Sequence, residues 1–166
     1  MDIEMTDPEY IAEHVEQYEI GELMLMAALR DDRDAVLELE VQLVNITSPQ
    51  EIEPVFQLIC QSWIDTYALV WQQITGIKAD ALSGFIAVNA FEGQESDVDK
   101  LKPEVRWAMR LMMARIKMDA EQFFALWFGM VNHLDKTLIV RHLSALLMII
   151  SFNIRALIED EEQHDH

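Results

Sequence analysis

Four glutamates, Glu13, Glu16, Glu19 and Glu22, recur at steps of three near the N-terminus, and Asp31, Asp32 and Asp34 follow closely. On a helix, side chains three apart are neighbours, about 5–6 Å from Cβ to Cβ, so consecutive members of this ladder can act in pairs. Two kinds of chemistry are open to them. Two carboxylates hold Mg²⁺ if a second helix adds oxygen ligands and water fills the octahedron. Alternatively, a whole carboxylate face matches the charge density of a phosphate backbone and fits the basic surface of a protein partner. The ordinary reading is a solvated acidic face.

The metal option has a definite ligand set, Glu16, Glu19, Glu22 and Asp34. In outline it resembles the all-α nucleoside-triphosphate pyrophosphatases, which carry Glu-x-x-Glu and Glu-x-x-Asp pairs on adjacent helices. That resemblance implies a Mg²⁺-dependent nucleotide hydrolase, with Asp31 and Asp34 in place of the second pair. Other catalytic signatures are missing. The sequence has no Gly-x-Ser-x-Gly elbow, no Walker phosphate loop and no dinucleotide fingerprint. A di-iron bundle needs Glu-x-x-His on core-facing helices, and the only match is Glu161 with His164, in the tail. His133 and His142, nine apart, do not have a standard ligand spacing. Cys60, the single cysteine, sits beside Ile59, Trp63 and Ile64 and reads as a buried thiol. One segment has the opposite charge. Lys102, Arg106 and Arg110 are four apart and form a ridge on one helix face, with Arg115 and Lys117 beyond. This ridge can grip a phosphate, the chain's own acidic helices or a second copy in a homodimer. The methionines Met109, Met112, Met113 and Met118 give the same segment the composition of a core or an interface.

The elements that position these residues follow from composition. The chain has 166 residues, a formal charge of -18 and 51% hydrophobic residues, enough apolar material for a real core despite the charge. Only 5 Gly and 4 Pro argue against a barrel or sandwich of many short strands. The negative field disfavours direct contact with nucleic acid or an anionic membrane surface. The lone cysteine and the acidic start of the sequence, with no basic and apolar leader, point to the cytoplasm. The longest apolar stretch, Leu138 to Ile158, contains Arg141, His142, Asn153 and Arg155 and reads as a core helix. The charge is uneven: residues 1–40 carry net -11, residues 41–100 net -6 and residues 101–166 net -1.

Helix signals recur along the chain. Thr6, Pro8 and Glu9 start a first helix, which Gly21 is expected to end before Glu22. A second helix is expected to continue from Glu22 to Arg30, and Asp31 to cap a further one, through Val44. Within it, Leu37-Glu38-Leu39-Glu40-Val41-Gln42-Leu43 alternates with period two, so a β-hairpin near residues 23–44 is the alternative. Ser48-Pro49-Gln50-Glu51 opens a long helix with Phe56, Trp63, Tyr67, Val70 and Ile74 inward, and Gly76 stops it. Residues 80–91 read as a short helix and 93–102 as a polar loop. Pro103, Asp119 and Asp135 each open a further helix. The expected fold is all-α, a single-domain bundle of six to eight helices over residues 1–158, with a flexible acidic tail at 159–166.

Function is expected to follow from the charge. The chain reads as a small acidic regulator, inhibitor or adaptor that binds a basic protein, with nucleic-acid mimicry of the kind phage antagonists use as the sharp version. The binding face is Glu9, Glu13, Glu16, Glu19, Glu22, Asp31, Asp32 and Asp34. No cofactor is expected in this reading, and catalysis is not its basis. Mg²⁺ belongs to the hydrolase alternative.

Overall fold

The computed structural model describes residues 8–78 and 101–164. These residues form seven helices and no strand, so the protein is all-α, and the β-hairpin alternative at residues 23–44 is wrong. The helices are α1 (Pro8–Glu13), α2 (Val15–Leu29), α3 (Arg33–Ile46), α4 (Pro49–Thr75), α5 (Pro103–Ile116), α6 (Ala120–His133) and α7 (Lys136–His164). The helix expected at 80–91 lies outside the described residues, as does most of the loop that follows it. The chain divides into two compact units, Met1–Trp63 and Ile64–His166, and α4 contributes to both.

In the first unit, α2 and α3 pack on each other across a three-residue turn, Arg30 to Asp32. Asp32, one residue later than expected, is the cap of α3: its Oδ1 accepts from the Ala35 N–H at 3.1 Å. Asp31 instead makes the turn, at φ 56°, a left-handed conformation that Asp tolerates better than most residues. Gly21 does not end a helix. The break falls at His14, and α2 runs through Gly21 without interruption. Gly21 is there for packing, because a Cβ at this position would lie 3.0 Å from Ile59 Cγ2 on α4. The close approach lets the Trp63 indole N–H donate to the Gly21 carbonyl at 2.9 Å.

α4 starts where Ser48-Pro49-Gln50-Glu51 is expected to open it, and Glu51 reaches back to Ser48. Glu51 N–H donates to the Ser48 carbonyl at 2.9 Å, and Glu51 Oε1 accepts from Ser48 N–H at 3.0 Å. Gly76, at φ 71°, follows its last residue.

In the second unit, α5 packs against both α6 and α7. Pro103 occupies the first turn of α5. Asp119 caps α6 by accepting from Gln122 N–H at 3.1 Å, and Asp135 caps α7 by accepting from Leu138 N–H at 2.9 Å. The inward residues are those with three-four spacing: Val105, Met109, Met112 and Ile116 on α5, Phe123 and Trp127 on α6, and Ile139, Leu143, Leu146 and Ile150 on α7. Asn153, which interrupts the α7 stripe, is buried and donates from Nδ2 to the Ile149 carbonyl at 2.8 Å. α7 is long and apolar enough to cross a membrane by length and composition, and 61% of its most apolar window is buried within the protein. It continues as helix to His164, through much of the expected tail.

Candidate functional site

All eight carboxylates of the expected binding face lie in the first unit, and all eight are exposed. Glu9 and Glu13 stand on α1, Glu16, Glu19 and Glu22 on α2, Asp31 and Asp32 in the turn, and Asp34 in the first turn of α3. Some have local work. Asp32 caps α3, Asp31 lies 3.7 Å from the Arg33 guanidinium, and Asp34 complements the positive end of the α3 dipole.

The structure does not gather the alternative ligand set. Because α2 and α3 run antiparallel from a short turn, Asp34 lies at the turn end and Glu16 at the far end of α2. About twelve residues of helix, roughly 18 Å, separate their levels. Among the described residues, no group of three His, Cys, Asp or Glu side chains is placed to hold a metal ion.

The exposed face of α2 is not purely acidic. Turning 100° per residue brings Val15, Leu23 and Met26 onto the same side as Glu16, Glu19 and Glu22, and all six are exposed. α3 repeats the pattern, with exposed Leu37 and Val41 beside Asp34 and Glu38.

A well-built polar contact in this unit involves residues outside the expected site. Glu51 Oε2 lies 2.9 Å from His14 Nε2, while His14 Nδ1 lies 2.9 Å from the Tyr10 carbonyl. The Tyr10 ring stacks on the imidazole, 4.2 Å between centroids. Both ring nitrogens therefore face oxygens. Hydrogen bonds from Ser48 hold the Glu51 carboxyl below its ordinary range against the opposing effect of burial, and the neighbouring His14 lowers it further. Burial, with Tyr10 adding to it, pushes the Tyr18 phenol up. The capping spacing made Glu51 findable. His14 was not findable, because nothing local marks a helix break there or supplies its distant partner.

A test of this contact follows from sign. A carboxyl whose folded value is depressed stabilises fully above its unfolded range, near pH ~4.3, and the stabilisation is lost as pH falls through the folded value. Glu51→Gln keeps an acceptor for Ser48 but removes the charge. It is expected to cost about 1 kcal/mol at neutral pH, and nothing at a pH where Glu51 is itself protonated. Urea denaturation of both proteins at the two pH values reads the difference, which cancels the general acid response of so charged a chain. Equal stability at neutral pH would remove Glu51 from the account.

The basic ridge lies in the second unit. Lys102 precedes α5 and is exposed, Arg106 is half-buried and Arg110 is exposed. Arg115, farther along, makes a two-bond pair with Asp65, Nε to Oδ1 and a terminal nitrogen to Oδ2, both at 3.0 Å. One basic residue of the segment thus serves the unit's own acid. An open groove of about 360 Å³ runs between α5 and α6, with Met109, Met113, Arg110, Lys117 and Gln122 among its walls. The expected buried thiol is found: Cys60 is fully enclosed, and burial pushes its thiol well up, away from a nucleophilic thiolate.

Fold and face together define an all-α protein whose first unit carries an exposed, acidic and apolar-studded helical surface. Compared with protein-family models, curated proteins and solved structures, the chain has no significant match in any of the three.

Proposed function

We propose that the protein is a small acidic protein-binding protein, a regulator, inhibitor or adaptor that engages a basic partner through α1–α3. One observation carries the reading. The eight carboxylates Glu9, Glu13, Glu16, Glu19, Glu22, Asp31, Asp32 and Asp34 are all exposed in one unit, with only Arg30 and Arg33 as counter-charges across α1–α3. Such a surface steers a cationic partner at long range and loses affinity as salt screens it. It repels nucleic acid and anionic lipid for the same reason. Occupying the phosphate-binding channel of a nucleic-acid-binding protein is the sharpest form of the proposal, and competition between DNA and this protein for such a channel is its signature.

The test is capture of partners from the native host by the full chain at low salt, with Glu13, Glu16 and Glu19 all changed to Lys in a parallel sample. The expected result is a basic protein held by the wild type, released by high salt and not held by the variant. These side chains are exposed, so the variant keeps its helical circular dichroism and melting temperature. A partner held equally by both proteins would show that this face does not bind it.

A further inference from the structure

We infer that the outward side of the α2–α3 hairpin is a docking surface for a cationic amphipathic helix of the partner protein. This rests on the reading of the acidic unit as a protein-binding module and specifies what the partner brings. The apolar residues carry the inference. The period-two run in α3 is two helical stripes on nearly opposite sides, because a step of two residues turns 200°. One stripe, Leu39 and Leu43, goes inward, and Leu43 is buried. The other, Leu37 and Val41, must then go outward, and the two are 58% and 60% exposed. α2 does the same with Leu23 and Met26, three apart and 51% and 54% exposed. Two neighbouring helices thus each present a pair of large apolar side chains at the spacing that receives another helix.

The charges around those pairs select the occupant. Glu16, Glu19 and Glu22 flank the α2 pair, and Asp34 and Glu38 flank the α3 pair. A second copy meeting this surface through a two-fold axis would set these carboxylates against themselves, because such an interface joins the same patch on both subunits. Anionic lipid and nucleic acid meet the same repulsion. A helix with an apolar stripe at three-four spacing, flanked by Lys and Arg, covers the leucines and neutralises the rim together. A purely basic segment would neutralise the rim but leave the leucines in water.

The experiment titrates the full chain with three labelled synthetic probes: an amphipathic Leu/Lys helix, a scrambled peptide of identical composition, and oligolysine. Fluorescence anisotropy at low and high salt reads the affinities. The amphipathic helix is expected to bind roughly tenfold or more tightly than the scrambled peptide, and to keep that advantage at high salt. Changing Leu37 and Val41 to Gln, a good helix former, removes the advantage while leaving oligolysine binding unchanged. Leu23→Gln with Met26→Gln repeats the test on the other helix, should the first pair disturb α3. If the scrambled peptide matches the amphipathic one, or both pairs of variants bind as the wild type does, the apolar docking surface is wrong and the acidic face stands. If none of the probes binds, the acidic-face reading fails as well. If the free protein self-associates and the Leu37/Val41 variant does not, the occupant is a second copy, which overturns the inference.

Discussion

Replacing Trp63 by Ala is expected to cost the first unit about 3–5 kcal/mol, the range for deleting a large buried aromatic. The loss would be a large part of the stability of an ordinary domain, about 5–15 kcal/mol. Trp63 is almost completely buried on α4, and its indole N–H reaches the Gly21 carbonyl of α2 at 2.9 Å. That bond accompanies an approach of α2 and α4 so close that the Ile59 side chain would press on a Cβ at residue 21. Ile59 Cγ2 would stand 3.0 Å from it, and Ile59 Cγ1 3.2 Å. Truncating the indole therefore leaves a cavity beside this close approach and removes the hydrogen bond to the Gly21 carbonyl. Trp63→Phe separates the two contributions. It retains most of the ring's burial and is expected to lose about 1 kcal/mol for the hydrogen bond, with more where the smaller ring packs less well. Gly21→Val approaches the same contact from the other side, and the forced overlap with Ile59 is expected to cost about 1–3 kcal/mol. Chemical denaturation followed by far-ultraviolet circular dichroism measures all three. A loss below about 1 kcal/mol for Trp63→Ala would mean that α2 and α4 are not joined through this contact.

What the sequence disclosed about this fold was local. Ser48 with Glu51, Asp119, Asp135, Pro103 and Gly76 each act on the backbone within a few residues, and each marks a helix end. Expectation and structure part where a distant partner decides the outcome. Gly21 reads as a helix stop because glycine weakens helices, whereas the close packing of Ile59, some forty residues away, favours a residue without a Cβ there. His14 gave no sign of interrupting a helix; its Tyr10 and Glu51 contacts combine one local partner with one from another element. The alternation in α3 looked like a strand because a strand is the usual reason for period two. On a helix the same alternation divides its apolar residues between two sides, and only the α2–α3 packing fixes which side is inward. The acidic site was legible as a set of exposed charges. Its apolar members were legible as residues but not as surface, since burial depends on what the other elements cover.

Gln57→Met is expected to stabilise the protein by about 1–3 kcal/mol, against the direction of most core substitutions. Gln57 is 1% exposed on α4, and among the described residues neither its amide nitrogen nor its amide oxygen has a hydrogen-bond partner. Burying an amide without compensation costs free energy that a thioether of nearly the same length does not, and Met has a similar helix propensity. The comparison that isolates the cause is Asn153→Leu on α7. Asn153 is buried as well, but its amide donates to the Ile149 carbonyl, so the same polar-to-apolar exchange removes a bond already made and should gain much less or lose. In the sequence the two positions look alike, each a polar residue among apolar helix neighbours. Hydrogen-bond satisfaction gives them different expected outcomes. Thermal and urea denaturation of both variants, with circular dichroism to confirm unchanged helix content, decides between them. A stabilised Gln57→Met beside an unimproved Asn153→Leu supports the unpaired amide. If Gln57→Met is instead the more damaging of the two, the Gln57 amide is hydrogen-bonded in solution and the packing around that part of α4 differs from the arrangement described.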